Sequence, residues 1–273
     1  MQAQTISTEP AHQSEGDTMI FQDLNTETVE DRFVRGGHLS VSELSAGARR
    51  GDCSPRPFTS GNVKVYFDNL ERELCGHIAA ADFVVGCTAW LTSTAVLTSL
   101  SKPRHGCQIV VQKEDFLRPD AGDSGYSWAR SRRKLYDGLV CRYDRQFLPG
   151  VADLLDYCHD GTTAAVRCAG NHNRDRKPTH PRMHHKFLVF CHAAEKHSRE
   201  TDGFLDEMAI PYAVWTGSFN PTHNGSRSRE NAVYIADAAV ANRYAYEWAA
   251  VFAISETLDW TDPWCSPEWH VGS

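Results

Sequence analysis

Residues 182–190 read RMHHKFLVF, placing His184, His185 and Lys186 at the head of an apolar run suited to a β-strand. Side chains on a strand alternate faces, so His184 and Lys186 project to one side and His185 to the other. One nucleophile and one cation therefore face one site. A second cluster, TGSFN at 216–220, follows another strand end and offers Ser218 and Asn220, and a third, Arg229-Glu230-Asn231, leads into the apolar NAVYI. Imidazole, ammonium and amide together suit an anionic substrate, with the imidazole attacking while the fixed donors neutralise oxygens as charge shifts. His185, facing away, reads as a hydrogen-bonded structural histidine.

In order and spacing these clusters resemble the phospholipase D superfamily, whose signature runs H-x-K-x4-D followed downstream by G-S-x-N. His184-His185-Lys186 supplies the first half and Gly217-Ser218-Phe219-Asn220 the second, while Glu230 matches an acidic position that often follows in the bacterial endonuclease branch. The resemblance spans about Val63 to Phe252 and includes the aromatic strand end TAW at Trp90. It implies an α/β fold, a phospholipase D-like mixed sheet flanked by helices, with one H-x-K motif per chain. It also implies metal-independent hydrolysis of phosphodiesters, without a cofactor. On that reading His184 forms a phosphohistidine, Lys186 and Asn220 with help from Ser218 hold the nonbridging oxygens, and Glu230 orients an imidazole.

A second imidazole must protonate the leaving oxygen and later activate water. Lys186 completes the chain's one H-x-K. Family members with one motif pair through a twofold axis, so the resemblance implies a homodimer sharing one composite site. Nucleic acid is the expected substrate, DNA ahead of RNA. Arg182, Arg167 and Lys177, from the basic stretch around the motif, are candidate substrate contacts. A phospholipid phosphodiesterase and a catalytically silent dimer binding nucleic acid or protein are the competing readings. The chain departs from the signature at Cys191, which stands where the family has a chiefly structural Asp, and in the insertion 191–211. Asp202 and Asp206, the aspartates within that insertion, are the candidates to substitute for that Asp. The spacing of Cys168, His172, His180 and His184 also invites a zinc reading, but these residues flank a charged loop without paired C-x-x-C knuckles.

These side chains need a scaffold, and the hydrophobic pattern supplies one of alternating strands and helices. Strands are expected at VKVYF from Val63, 82–90, 107–112, 164–168, 185–190, 212–216 and 231–235. Helices are expected from about Asp68, from Ser93 to about Ser101, near 127–140, and from Asp237 to about Phe252. Residues 1–18 read as a disordered acidic leader, 19–60 as a partly ordered arm, 61–253 as the catalytic domain, and 254–273, with three tryptophans among prolines, as a strap over it.

The nine cysteines among 273 residues are scattered, which points to reduced thiols, mostly core-packed. The formal charge of −7 is concentrated at one end: residues 1–31 hold seven acids and neither Lys nor Arg, leaving 28 of each sign in the remainder. No apolar run is long enough to span a bilayer and the first residues lack a signal-peptide pattern, so a cytoplasmic protein without a membrane anchor is expected.

Overall fold

The computed structural model describes residues 58–118, 127–143, 164–172, 181–197 and 205–264, excluding the side chains of 195–197 and 205–207. The leader, most of the arm, Lys177, His180 and Asp202 lie outside the described residues. Strands are β1 (Phe58–Ser60), β2 (Val63–Tyr66), β3 (Phe83–Thr88), β4 (Cys107–Gln112), β5 (Val166–Ala169), β6 (Lys186–His197), β7 (Leu205–Gly217), β8 (Ala232–Ile235) and β9 (Glu256–Thr257). The helices are α1 (Leu70–Ala79), α2 (Thr94–Leu100), α3 (Ser127–Asp137) and α4 (Ala238–Ala253).

The strands form one mixed sheet in the order β1-β2-β8-β7-β6-β3-β4-β5-β9. β3, β4 and β5 run parallel, as βα crossovers require, while β6, β7 and β8 form an antiparallel meander beside them. Two helices begin where the sequence places their caps. The Ser93 hydroxyl accepts the Val96 N–H at 3.2 Å, and an Asp237 carboxylate oxygen accepts the Val240 N–H at 2.9 Å.

Both faces of the sheet are covered, and strand alternation decides which residue goes where. Leu74, Ile78, Val96, Leu100 and Tyr136 from α1, α2 and α3 pack against Val84, Ile109, Leu188, Phe190 and Trp215. On the other face α4 lays Ala241, Ala245, Trp248 and Phe252 against Phe83, Val85, Phe187, Val189 and Cys191. Each large apolar side chain so buried contributes about 1.5–3 kcal/mol before entropy is subtracted. In the middle strands Gly86 is required, because a Cβ there would lie 2.3 Å from the Phe187 carbonyl oxygen.

Three expectations are revised. Strands expected to end at 190 and begin at 212 continue as β6 and β7, so 191–197 and 205–211 are a strand-paired extension of the hairpin. Cross-strand hydrogen bonding carries the backbone through a polar stretch, CHAAEKH, that lacks apolar alternation. Arg167, expected to grip substrate, is 2% exposed. It points from β5 towards the end of α4, stacks on Phe252 at 5.1 Å, and donates to the Ser255 hydroxyl and carbonyl at 2.8 and 2.9 Å. On α3, Arg133 pairs with Asp137 and Asp259 at 2.9 Å each.

Beyond α4, β9 pairs with β5, Trp260 is buried, and the Lys113 ammonium reaches the carbonyls of Asp262 and Trp264 at 2.9 and 2.8 Å. Lys113 also pairs with Glu256 inside the molecule. Among the described residues no helix is long and apolar enough to cross a membrane.

Candidate active site

The antiparallel meander brings three chain segments to one end of the sheet. β6 starts there at Lys186, β7 finishes there at Gly217, and β8 starts there at Ala232. β3 also ends there, with Thr88 opposite Lys186. A Cβ on Gly217 would lie 2.3 Å from the Asn231 carbonyl oxygen, so the glycine of the G-S-x-N stretch lets β8 pass closely.

His184 lies just before β6, and its approach is fixed by Gln112, a buried side chain at the end of β4. Gln112 accepts the Met183 N–H at 2.8 Å and donates to the Asn171 carbonyl at 2.9 Å. The Lys186 ammonium stands 3.3 and 3.4 Å from the two ring nitrogens of His184 and donates to its carbonyl at 3.1 Å. Trp90 stands beside them, its ring 5.3 Å from that of His184 at an interplanar angle of 82°. The indole N–H donates to Glu114 at 3.0 Å.

Electrostatics favour a neutral imidazole. Partial burial lowers the His184 pKa, and Lys186, Arg182 and His185 lower it further. The Lys186 pKa is also lowered by burial, against an opposing pull from Glu230. His185 points to the opposite face, as alternation requires, and its Nε2 lies 2.9 Å from a Glu247 carboxylate oxygen on α4.

Ser218 and Glu230 meet directly: the Ser218 hydroxyl donates to the Glu230 carboxylate and accepts the Asn231 N–H at 3.1 Å. Ser218 thus holds Glu230, which faces Lys186. Asn220 lies in the following turn, which is tied to the start of α2 because the Pro221 carbonyl accepts both the Thr92 and Ser93 N–H groups at 2.8 Å. The Asn220 Oδ1 is buried and has no hydrogen-bond partner among the described residues. A groove of about 620 Å³ opens beside His184 and His185, walled by Met183, Val251 and Ile254.

Of the sequence-stretch candidates, His184, Lys186, Ser218 and Glu230 are tied to this end by contacts or electrostatics, and Asn220 by its turn. Arg182 is exposed on the approach to His184 and lines the groove. Sequence reasoning missed Gln112 and Glu114. The available signal was polar residues closing an apolar buried strand, CQIVVQKE. Cys191 is fully buried among apolar neighbours. Of the residues in the zinc reading, Cys168 is buried and faces the Thr257 carbonyl at 3.4 Å, and His172 lies 2.9 Å from Asp115. Among the described residues no group of three or more His, Cys, Asp or Glu is arranged to hold a metal.

No protein-family model matches the chain. It is 31% identical over 217 residues to an uncharacterized protein of Acanthamoeba polyphaga mimivirus, across 74% of this chain and 69% of that protein. Among solved structures, a phospholipase D family member, Nuc from Salmonella typhimurium, is similar at a TM-score of 0.41 and 14% identity, over 71% of this chain and 95% of that one. NucT from Helicobacter pylori is similar at a TM-score of 0.43 and 11% identity, over 71% and 98%.

Proposed function

We propose that this chain, which belongs to the same family as the uncharacterized mimivirus protein, is a phosphodiesterase of the phospholipase D type that hydrolyses nucleic acid, DNA in preference to RNA. The observation that carries this reading is the His184–Lys186 pair, an imidazole whose pKa is lowered standing 3.3 Å from an ammonium group, set at the strand ends that also bear Ser218, Asn220 and Glu230. A phosphodiester repels nucleophiles, and Lys186 offsets that charge while Asn220 supplies an amide to the same centre.

One His184 ring nitrogen forms a bond to phosphorus as the bond to the leaving oxygen breaks, and that oxygen takes a proton from a second, protonated imidazole. The same second imidazole then accepts a proton from water, whose oxygen attacks phosphorus and releases His184. The single H-x-K makes His184 of another copy the source of the second imidazole, and the active species is a homodimer. Glu230, held by Ser218, orients an imidazole or tempers Lys186 according to which subunit it faces.

The test uses wild type and His184→Ala with labelled DNA, RNA and phospholipid, each with and without EDTA. Cleavage of nucleic acid that EDTA spares and the variant lacks is the expected result. Turnover of phospholipid alone would move the assignment to a lipid enzyme, and inertness towards all three would mark a binding module. Sedimentation of the active species is expected to give a dimer; activity confined to a monomer would remove the shared-site mechanism.

A further inference from the structure

We infer that Trp90, anchored by Glu114, is a positioning residue for the His184–Lys186 pair. The inference rests on the phosphodiesterase reading of that pair.

The register makes the contact unavoidable. Thr88 is the partner of Lys186, and the Ala89 N–H donates to the His185 carbonyl at 2.9 Å. Continuing β3 by two residues therefore brings Trp90 alongside His184. The two rings meet as a T at 5.3 Å, and the Lys186 ammonium lies 5.8 Å from the centre of the Trp90 ring. An indole attracts a neighbouring cation and prefers edge-to-face contact with another aromatic ring, so one side chain steadies both reacting groups.

The indole is itself pinned. Glu114, just beyond the end of β4, accepts its N–H at 3.0 Å, so the ring spans from the His184 strand to the segment after β4. Lys186 alone would leave His184 free to turn about its side-chain bonds. With the indole and the ammonium packed against adjacent sides of the imidazole, 5.8 Å from each other, its turning is restricted. In-line attack on phosphorus demands such confinement, since a misplacement of about 1 Å can cost roughly 10²-fold in rate.

With its ring 5.3 Å away, Trp90 contributes to the partial burial that is the leading cause of the lowered His184 pKa. The charged and titratable groups around the ring are Lys186, Arg182, His185 turned towards Glu247, and Glu114 on the far side of the indole, with Glu230 acting on Lys186. Opening the indole side to solvent raises the His184 pKa towards that of a free imidazole.

The experiment compares full-length wild type with Trp90→Ala, Trp90→Phe, Glu114→Ala and Glu114→Gln. Two readouts are used: the pH profile of kcat and KM on a nitrophenyl phosphodiester, and an NMR titration of the His184 ring nitrogens. Trp90→Ala is expected to lower kcat by roughly 10–10²-fold with KM little changed. It should also move both the His184 titration midpoint and the acid limb of the profile upward. Trp90→Phe and Glu114→Ala should fall between Trp90→Ala and wild type, and Glu114→Gln, which keeps an acceptor, should restore near-normal kcat.

A folded Trp90→Ala with unchanged kcat, or with an unmoved His184 midpoint, would overturn the inference. If that variant fails to fold, Trp90→Phe and Glu114→Ala carry the same decision. Wild-type protein that cleaves no phosphodiester would defeat the proposed function, while the NMR arm would still decide whether Trp90 controls the ring.

Discussion

The two ends of the β6–β7 hairpin are built to opposite rules. At the end bearing Lys186 and Gly217, β6 is flanked by β3 and β7, and β7 by β8, so each backbone is held on both sides. At the far end these flanks run out: β3 pairs no further than Phe83 with Cys191, and β8 no further than Ile235 with Val214. The hairpin continues past a register shift between Phe190 and Cys191 as two strands without a further strand partner among the described residues, tied at their base by Asp82, whose carboxylate accepts the Ala193 N–H at 3.0 Å. His192 stacks on Tyr212 at 4.0 Å there, and Ile210 is left exposed. A two-stranded ribbon is marginal without a core to lie on, so it adds little to the fold and constrains it little. Geometry fine enough for chemistry needs strands on both sides, whereas length can be added where a strand has lost its neighbours.

The largest expected effect comes from disturbing the embedded end without unfolding it. Lys186→Met keeps the stem and removes the charge beside His184. It should lower kcat by about 10²–10³-fold. Lys186 is only partly buried, so Tm should stay within a few degrees of wild type. A kcat near wild type would mean that the held end is held for some other purpose, and the contrast would lose its functional half.

Next comes the boundary between the ends, at Cys191. The phospholipase D pattern puts Asp here, yet the side chain is fully buried and shares its face with Phe83, Val189 and α4. Cys191→Asp would place a carboxylate in that layer. The expected cost is roughly 3–5 kcal/mol, the range for an uncompensated buried charge, read as a lower urea midpoint. Cys191→Ala should cost about 1 kcal/mol. An aspartate variant as stable as wild type would show that the site retains the polar partners of the signature, contrary to the apolar packing around it.

The embedded end was also the more legible one. Strand alternation separated His184 and Lys186 from His185, and the structure sends His185 to Glu247 on the other face. Ser93 and Asp237 marked helix starts because capping chemistry is local. The ribbon was not legible, since its strands are sustained by one another and not by apolar alternation. Arg167 misled because a guanidinium reads as surface, whereas Ser255, far along the chain, provides its acceptors inside. Trp90 was visible as a residue, but its partnership with Glu114 depends on β3 and β4 lying side by side, which spacing along the chain does not encode.

A smaller effect should appear at the waist that both ends share. His77 on α1 stacks on Tyr234 at 3.8 Å and packs against Phe190 and Trp215 of the hairpin at 5.9 and 5.8 Å. Burial, with help from Lys64, lowers its pKa from 6.5 to about 4. The folded protein therefore binds fewer protons at His77 than the unfolded chain does between those values. Stability is full above pH 6.5 and declines as pH falls towards about 4. Urea unfolding at a series of pH values should show this acid-side decline in wild type and a shallower one in His77→Phe. Equal slopes would relieve His77 of that role.

The smallest effect is expected where the comparison is most exposed to failure. Replacing Ala194–Met208 with Asn-Gly joins Ala193 to Ala209, which face each other in register, through a two-residue turn suited to the twist of a hairpin. The shortened strands keep every pairing with β3 and β8, together with the buried Cys191, Ala209 and Val214. Stability should change by no more than about 1 kcal/mol, and kcat by no more than a factor of about 2. The excision also removes Asp202 and Asp206, the candidates within the 191–211 insertion for the missing aspartate of the signature. A variant that folds but loses most of the proposed phosphodiesterase activity would make the ribbon part of the site, by supplying such an acid or by reaching across to a second copy. Preserved turnover would leave the chemistry wholly to the end where His184 and Lys186 are held between strands.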